Sequence, residues 1–165
     1  MRILVHDYSG HPFQVELSRA LASRGHQVTH SYCKAYVSGK GHLTAEPGES
    51  LSFEPIGDAV TIDKMAFGKR LIQEARLGFE LARQALRLKP NVSIMSNVPI
   101  PTLMIFAFVM MVYRKPWVLW HQDVQAIAIK SFAGDKLGKG FLVAAKGIEL
   151  GERWCSRRAA AIVVI

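Results

Sequence analysis

A chain of 165 residues, half of them hydrophobic and 21% charged, has material for one sizeable core and is too apolar to stay disordered. Its net charge of +8 fits anionic partners (nucleic acid, anionic lipid or phosphorylated substrates) without choosing among them. Cys33 and Cys155 match no metal-ligand spacing, and the run Ile3-Leu4-Val5 is too short for a signal-peptide core, so a reduced, cytoplasmic compartment is expected.

Taken in chain order, Ile3-Leu4-Val5 reads as a buried strand and the stretch from Asp7 to Pro12 as turn material. From Phe13 the apolar residues recur at Leu17, Ala20 and Leu21, one face of a helix. Pro12 suits its first position, where a missing N–H costs nothing, and Gly25 suits its end. Gln27 to Ser31 is a second strand, completing a βαβ unit. Residues 38–50, with three glycines and Pro47, form a loop, and Leu51 to Ile56 a short strand. A long helical pattern runs from Lys64 to Leu88 and stops at Pro90. Val92 to Met95 is a strand. The apolar stretch from Ile100 to Tyr113 falls short of the roughly 18 residues a membrane span needs, so a buried core helix is expected over Thr102 to Tyr113. Trp117 to Trp120 is a strand, Lys139 to Arg157 a helix and Ala161 to Ile165 a last strand. This order implies an α/β fold, a Rossmann-like parallel sheet flanked by helices. The stop inside an apolar strand at Ile165 leads us to expect a piece of something longer.

Ligands of open parallel sheets bind beyond the carboxyl ends of the strands, and that rule selects three places. The first is the loop Ser9-Gly10-His11: Gly10 lets a ligand approach the backbone, and the following helix N-terminus would stabilise an anion such as a phosphate. It is not a dinucleotide fingerprint, and a plain strand-to-helix turn is the alternative. The second is His121-Gln122-Asp123. There the imidazole is placed to bond a sugar hydroxyl or phosphate or to act as a base, with Asp123 orienting it or taking a proton. Alternatively His121 only caps the strand end. Asn97, after the Val92 strand, is the third and also reads as an ordinary loop residue.

Ile72, Ala75, Phe79, Ala82 and Leu86 form an apolar stripe on the long helix, with Lys69, Arg76, Arg83 and Arg87 beside it. The later helix repeats the pattern with Lys139, Lys146, Arg153 and Arg157. Two such stripes suit an anionic membrane surface; solvated, snorkelling cations are the alternative. Nucleic-acid recognition motifs are absent, and no metal is expected, since the six histidines form no i, i+4 pair on a helix.

The segment Asp7 to Pro12, the helix through Arg24 and the turn Gly25-His26-Gln27-Val28 resemble the start of retaining GT-B glycosyltransferases. Lys115 to Asp123 is similar to the strand that delivers a histidine to that family's interdomain cleft. Glu152 to Ile165 resembles its glutamate-bearing helix and the strand after it. Within that family, the sequence is similar to the bacterial transferases of capsule, O-antigen and colanic-acid assembly. Departures are the loop Ser9-Gly10-His11, where two glycines are usual, and Ala160, where an acidic residue is common. The resemblance implies that residues 1–165 are the acceptor-side, N-terminal half of a two-domain enzyme, without the C-terminal domain that grips the donor. It implies a nucleotide sugar as donor, bound by the complete enzyme and not by this domain alone. It also implies a lipid-linked or saccharide acceptor, Gly10 near the donor phosphates and His121 near the transferred sugar. The partners to consider are a donor domain, in the same chain or a separate one, and the inner membrane. Two other functions remain open: a non-catalytic membrane-docking subunit of a split transferase, and a stand-alone flavodoxin-like nucleotide-binding module.

Overall fold

A computed structural model describes residues 1–35, 41–58, 67–121 and 139–164. Six strands, β1 (Arg2–Asp7), β2 (Gln27–Cys33), β3 (Leu51–Ile56), β4 (Val92–Ser96), β5 (Trp117–His121) and β6 (Ala161–Val164), form one sheet in the order β3-β2-β1-β4-β5-β6. Every pairing is parallel. The helices are α1 (Pro12–Ser23), α2 (Phe67–Leu88), α3 (Ile100–Val112) and α4 (Lys139–Arg158). The α/β Rossmann-like fold read from the sequence is therefore the fold of the chain.

Alternation along the strands divides the core between the two faces. Ile3, Val5, Val28 and Leu51 point to the side that α1 covers, with Ala22 closing the layer. Leu4, Met95, Trp117 and Leu119 point to the other side, under α2, α3 and α4. The rings of Phe106 on α3 and Trp117 on β5 meet edge to face at 5.9 Å between centroids. Pro12 opens α1, and the left-handed Gly25 (φ +81°) follows its end, as the sequence implies.

One expectation needs correction. α3 is not a fully buried helix: Leu103, Phe106, Ala107 and Met110 face the sheet, but Phe108 and Val112 are 55% and 58% exposed. The apolar stripe of α2 is not the face that this helix turns to the sheet. Leu77, Leu81, Ala82 and Ala85 are buried, together with Glu74 and Gln84, while Ile72 and Phe79 are 56% and 63% exposed. Apolarity alone does not place this stripe. α2 turns two polar residues inward because Glu74 accepts from Arg70 Nε at 2.7 Å and Gln84 Nε2 donates to Glu54 at 3.0 Å.

The loop after residue 41 is fastened to α1 by one side chain. Arg19 Nη1 donates to both carboxylate oxygens of Glu49, at 2.6 and 2.7 Å, and Nη2 donates to the carbonyls of His42 (3.1 Å) and Thr44 (2.8 Å). Arg19 and Glu49 are 16% and 23% exposed, so the bidentate pair is only partly screened. Arg19→Ala is expected to cost about 1–2 kcal/mol and to raise protease cleavage within residues 42–49 severalfold. Limited proteolysis checks this; an unchanged cleavage rate would show that the loop is held by other contacts.

Candidate functional site

The strand order reverses between β1 and β4, so the loops that leave their carboxyl ends diverge and open a crevice there. Asp7 closes β1 at that point and is buried. Its carboxylate accepts from Asn97 Nδ2 at 3.2 Å and from Ser9 Oγ at 3.3 and 3.4 Å, and it also accepts the backbone N–H of His11. Asn97 reaches it from a left-handed backbone (φ +54°), a conformation asparagine tolerates. Burial raises the Asp7 pKa above the ordinary aspartate value, and the bonds from His11, Asn97 and Ser9 oppose that rise.

Asp7, which reads as turn material in the sequence, is the hub of the loop and joins three of the named residues, Ser9, His11 and Asn97. It also changes the chemistry of the α1 N-terminus. The His11 N–H already serves Asp7, so an anion brought there meets a carboxylate. A hydroxyl group, which both donates and accepts, suits this cluster better than a phosphate. Gly10 has a positive φ of +72°, which disfavours any side chain. A methyl group at Gly10 would lie 3.3 Å from the Leu43 side chain, so the close approach is made by the chain's own loop.

Buried polar groups continue beneath this cluster. Gln14 Nε2 donates to Ser96 Oγ at 2.8 Å, and Ser18 Oγ lies 3.0 Å from the Gln14 carbonyl and 2.8 Å from His30 Nδ1. On the opposite face of the sheet, His6 Nδ1 lies 3.1 Å from Ser31 Oγ. Burial lowers the pKa of His6 to about 3, with neighbouring His30 adding to the effect, and burial lowers that of His30 to about 4. Both imidazoles are therefore neutral at pH 7. Gln14 and Ser18, four apart on α1, carried a signal: two polar residues on the face that also bears the buried Val15 and Ala22.

His121 ends β5 at the same edge. In register, Asp7 pairs with Ser96 and Ser96 with Trp120, so Asn97 and His121 each lie one residue beyond that row. The imidazole Nε2 is 3.1 Å from Glu152 Oε1, and the two side chains are 20% and 9% exposed. A histidine held by a carboxylate from α4 is an oriented acid–base group. The same carboxylate, after burial, helps push the Cys155 thiol up to about 12. Asp123 lies outside the described residues; Glu152 is a carboxylate that the described residues place against His121. The Asp7 cluster lies on the α1 side of the sheet and His121 on the α4 side. They share the carboxyl edge and not a face.

A third feature of this edge is a cavity of about 200 Å³ beyond β2 and β3, lined by Cys33, Gly57, Asp58, Glu74, Arg76 and Glu80. Glu80 accepts the Gly57 N–H at 2.9 Å. The basic residues divide. Arg87 pairs with Glu54, and Arg153 and Lys146 pair with Glu149 at 2.6 and 3.5 Å. Lys69, Arg76 and Arg83 are exposed, and among the described residues none of the three makes an ion pair. The side chain of Lys139 lies outside the described residues. No described helix is long and apolar enough to cross a membrane.

By sequence, no protein-family model and no curated protein matches the chain. By structure, the fold matches the N-terminal half of GT-B glycosyltransferases, and the chain spans about half the length of those it resembles. Apo UGT2 of Phytolacca americana aligns with a TM-score of 0.63 and 13% identity over 99% of this chain and 45% of its own. Sucrose-phosphate synthase of Thermosynechococcus elongatus aligns at 0.54 and 12%, over 100% of this chain and 47% of its own. The Bordetella bronchiseptica enzyme WbmG, solved with NAD and UDP, aligns at 0.58 and 13%, over 99% of this chain and 52% of its own. At such identities the likeness is one of fold.

Proposed function

We propose that this chain is the acceptor-side half of a glycosyltransferase that moves a sugar from a nucleotide sugar to a lipid-linked or saccharide acceptor, in cell-surface polysaccharide synthesis at the cytoplasmic face of a membrane. The observation that carries the reading is the presence of two prepared polar groups along one sheet edge, Asp7 with Ser9 and Asn97, and His121 with Glu152. Hydroxyl-rich ligands need donors and acceptors fixed in advance, because an unpaired buried polar group costs about 1–3 kcal/mol. Carboxylates already held by other groups supply that fixity. The donor-binding domain, in the same chain or a separate one, would close over this edge and exclude water. The nucleotide sugar then contacts this half through its sugar and reaches His121 through the transferred group.

In this reading Glu152 sets the ring orientation of His121, and His121 hydrogen-bonds the reacting sugar or moves a proton at its hydroxyl. His121→Ala in the complete enzyme is expected to lower kcat by about 10²-fold while the acceptor KM changes less. Steady-state transfer from labelled nucleotide sugar measures both, and an unchanged kcat would remove His121 from the site. Glu152→Gln should reproduce part of the kcat loss, because the amide holds the ring less firmly.

A further inference from the structure

The outward surface of the α2, α3 and α4 layer combines two features that the sheet edge does not explain. It is apolar where a soluble surface is usually mixed. Phe108 and Val112 on α3, Ile72 and Phe79 on α2, and Leu150 on α4 are each at least 55% exposed, with Met104 at 39% beside them. These three helices pack side by side: Gly78 of α2 lies against Thr102 and Ile105 of α3, and Gly151 of α4 against Ile100 and Met104. The exposed side chains are therefore one continuous face and not scattered residues. It is also bordered by positive charge. Arg76 and Arg83 flank it on α2, Arg157 on α4, and Arg114 and Lys115 follow α3; all are exposed, and among the described residues none makes an ion pair.

We infer that this face rests on an anionic lipid surface, with Phe108, Val112 and Phe79 entering the acyl boundary and the arginines meeting the headgroups. The two features together select the occupant. A second copy of the chain would bring the same positive rim against itself, whereas lipid phosphates complement it. Aromatic and aliphatic side chains on a shallow, positively bordered helix face are the arrangement of interfacial attachment. Arg83 lines the groove between α2 and α3 with Phe79, Glu80, Leu86, Val109 and Tyr113, where an apolar stem can lie on the face and leave the guanidinium to the headgroups. The partner named here belongs to the membrane-side setting proposed above. Lipid docking rests on exposure and charge alone and stands whether or not the chain transfers sugar.

Flotation of the chain with vesicles of phosphatidylcholine alone, and with phosphatidylglycerol added, tests this. The chain is expected to float with the mixed vesicles, more weakly in high salt, and to remain behind with phosphatidylcholine alone. Phe108→Ser with Val112→Ser should cut the bound fraction at least about tenfold, and Arg76→Glu with Arg83→Glu about as much. These positions are exposed, so circular dichroism should be unchanged, which separates lost docking from lost folding. Two results overturn the inference. One is no flotation with mixed vesicles, or flotation unaffected by both pairs of substitutions. The other is a dimer by sedimentation velocity that Phe108→Ser with Val112→Ser dissociates, because the face would then belong to a second copy. Failure here leaves the sugar-transfer reading to the kinetic test of His121.

Discussion

Lowering the pH from 6.5 to 5 is expected to remove about 3 kcal/mol of folding stability, and the chain should unfold cooperatively before pH 4. The cause is the pair of buried, neutral imidazoles. His6 and His30 have folded pKa values of about 3 and about 4, against 6.5 for an unperturbed histidine. Between about pH 4 and 6.5 the unfolded chain binds protons that the folded chain refuses. Stability therefore rises with pH through this window and is lost as pH falls, by at most roughly 1.4 kcal/mol per pH unit for each group. Asp7 works in the opposite sense. Its folded pKa is raised, so just above 3.8 the folded chain takes a proton first, which offsets part of the loss near the acid end. Set against a total of about 5–15 kcal/mol for a domain, the histidine contribution dominates. Urea denaturation followed by circular dichroism at pH 7, 6 and 5 gives the slope. His30→Asn keeps a polar partner for Ser18 Oγ and removes one titration, so it should roughly halve that slope. An unchanged slope would mean that His30 is protonated in the folded state.

Gly78→Leu is expected to prevent folding, and Gly78→Ala to cost about 1–3 kcal/mol even though alanine is the better helix former. A Cβ at Gly78 would lie 2.8 Å from the backbone oxygen of Thr102 and 2.9 Å from Ile105 Cβ. The first of these is backbone and cannot move aside as a side-chain end does. Thr102 is moreover drawn to α2 by its own hydroxyl, which donates to the Glu74 carbonyl at 2.7 Å. Accommodating even a methyl group requires α2 and α3 to separate along their whole crossing. Gly147 on α4 gives the contrast: nothing lies within 4 Å of a Cβ there. Gly147→Ala should therefore stabilise the chain by about 0.5–1 kcal/mol through helix propensity. Thermal unfolding of the two alanine variants measures both signs, and a gain at Gly78 would contradict the close crossing.

The fold was legible because its signals are local. Apolar runs such as Ile3-Leu4-Val5 and Val92 to Met95 sit between helical patterns, and parallel strands buried on both faces produce such runs. Pro12 and Gly25 punctuated α1 as steric rules require. The site was legible only as positions on an edge. His121 and Asn97 could be placed there from strand ends. That Asn97 would turn back to Asp7, or that Glu152 would meet His121 across 31 residues, depends on how α4 and the β4 loop pack. Asp7 was missed because an aspartate before Ser-Gly looks like turn chemistry, whereas three donors keep this one buried at the end of β1. The outward face of α3 was hidden for the opposite reason. Its apolar run was equated with burial, and here Phe108 and Val112 face outward.

Amide chemical-shift mapping of the isotope-labelled chain tests the central claim most directly, with saccharide acceptors and nucleotide sugars titrated separately. A saccharide is expected to shift the amides of Ser9, His11, Asn97 and His121, at the carboxyl ends of β1, β4 and β5. A nucleotide sugar alone should bind too weakly to saturate these shifts. Micromolar nucleotide binding by the chain alone, or saccharide-induced shifts confined to the amino ends of the strands, would contradict the assignment of this edge to the acceptor.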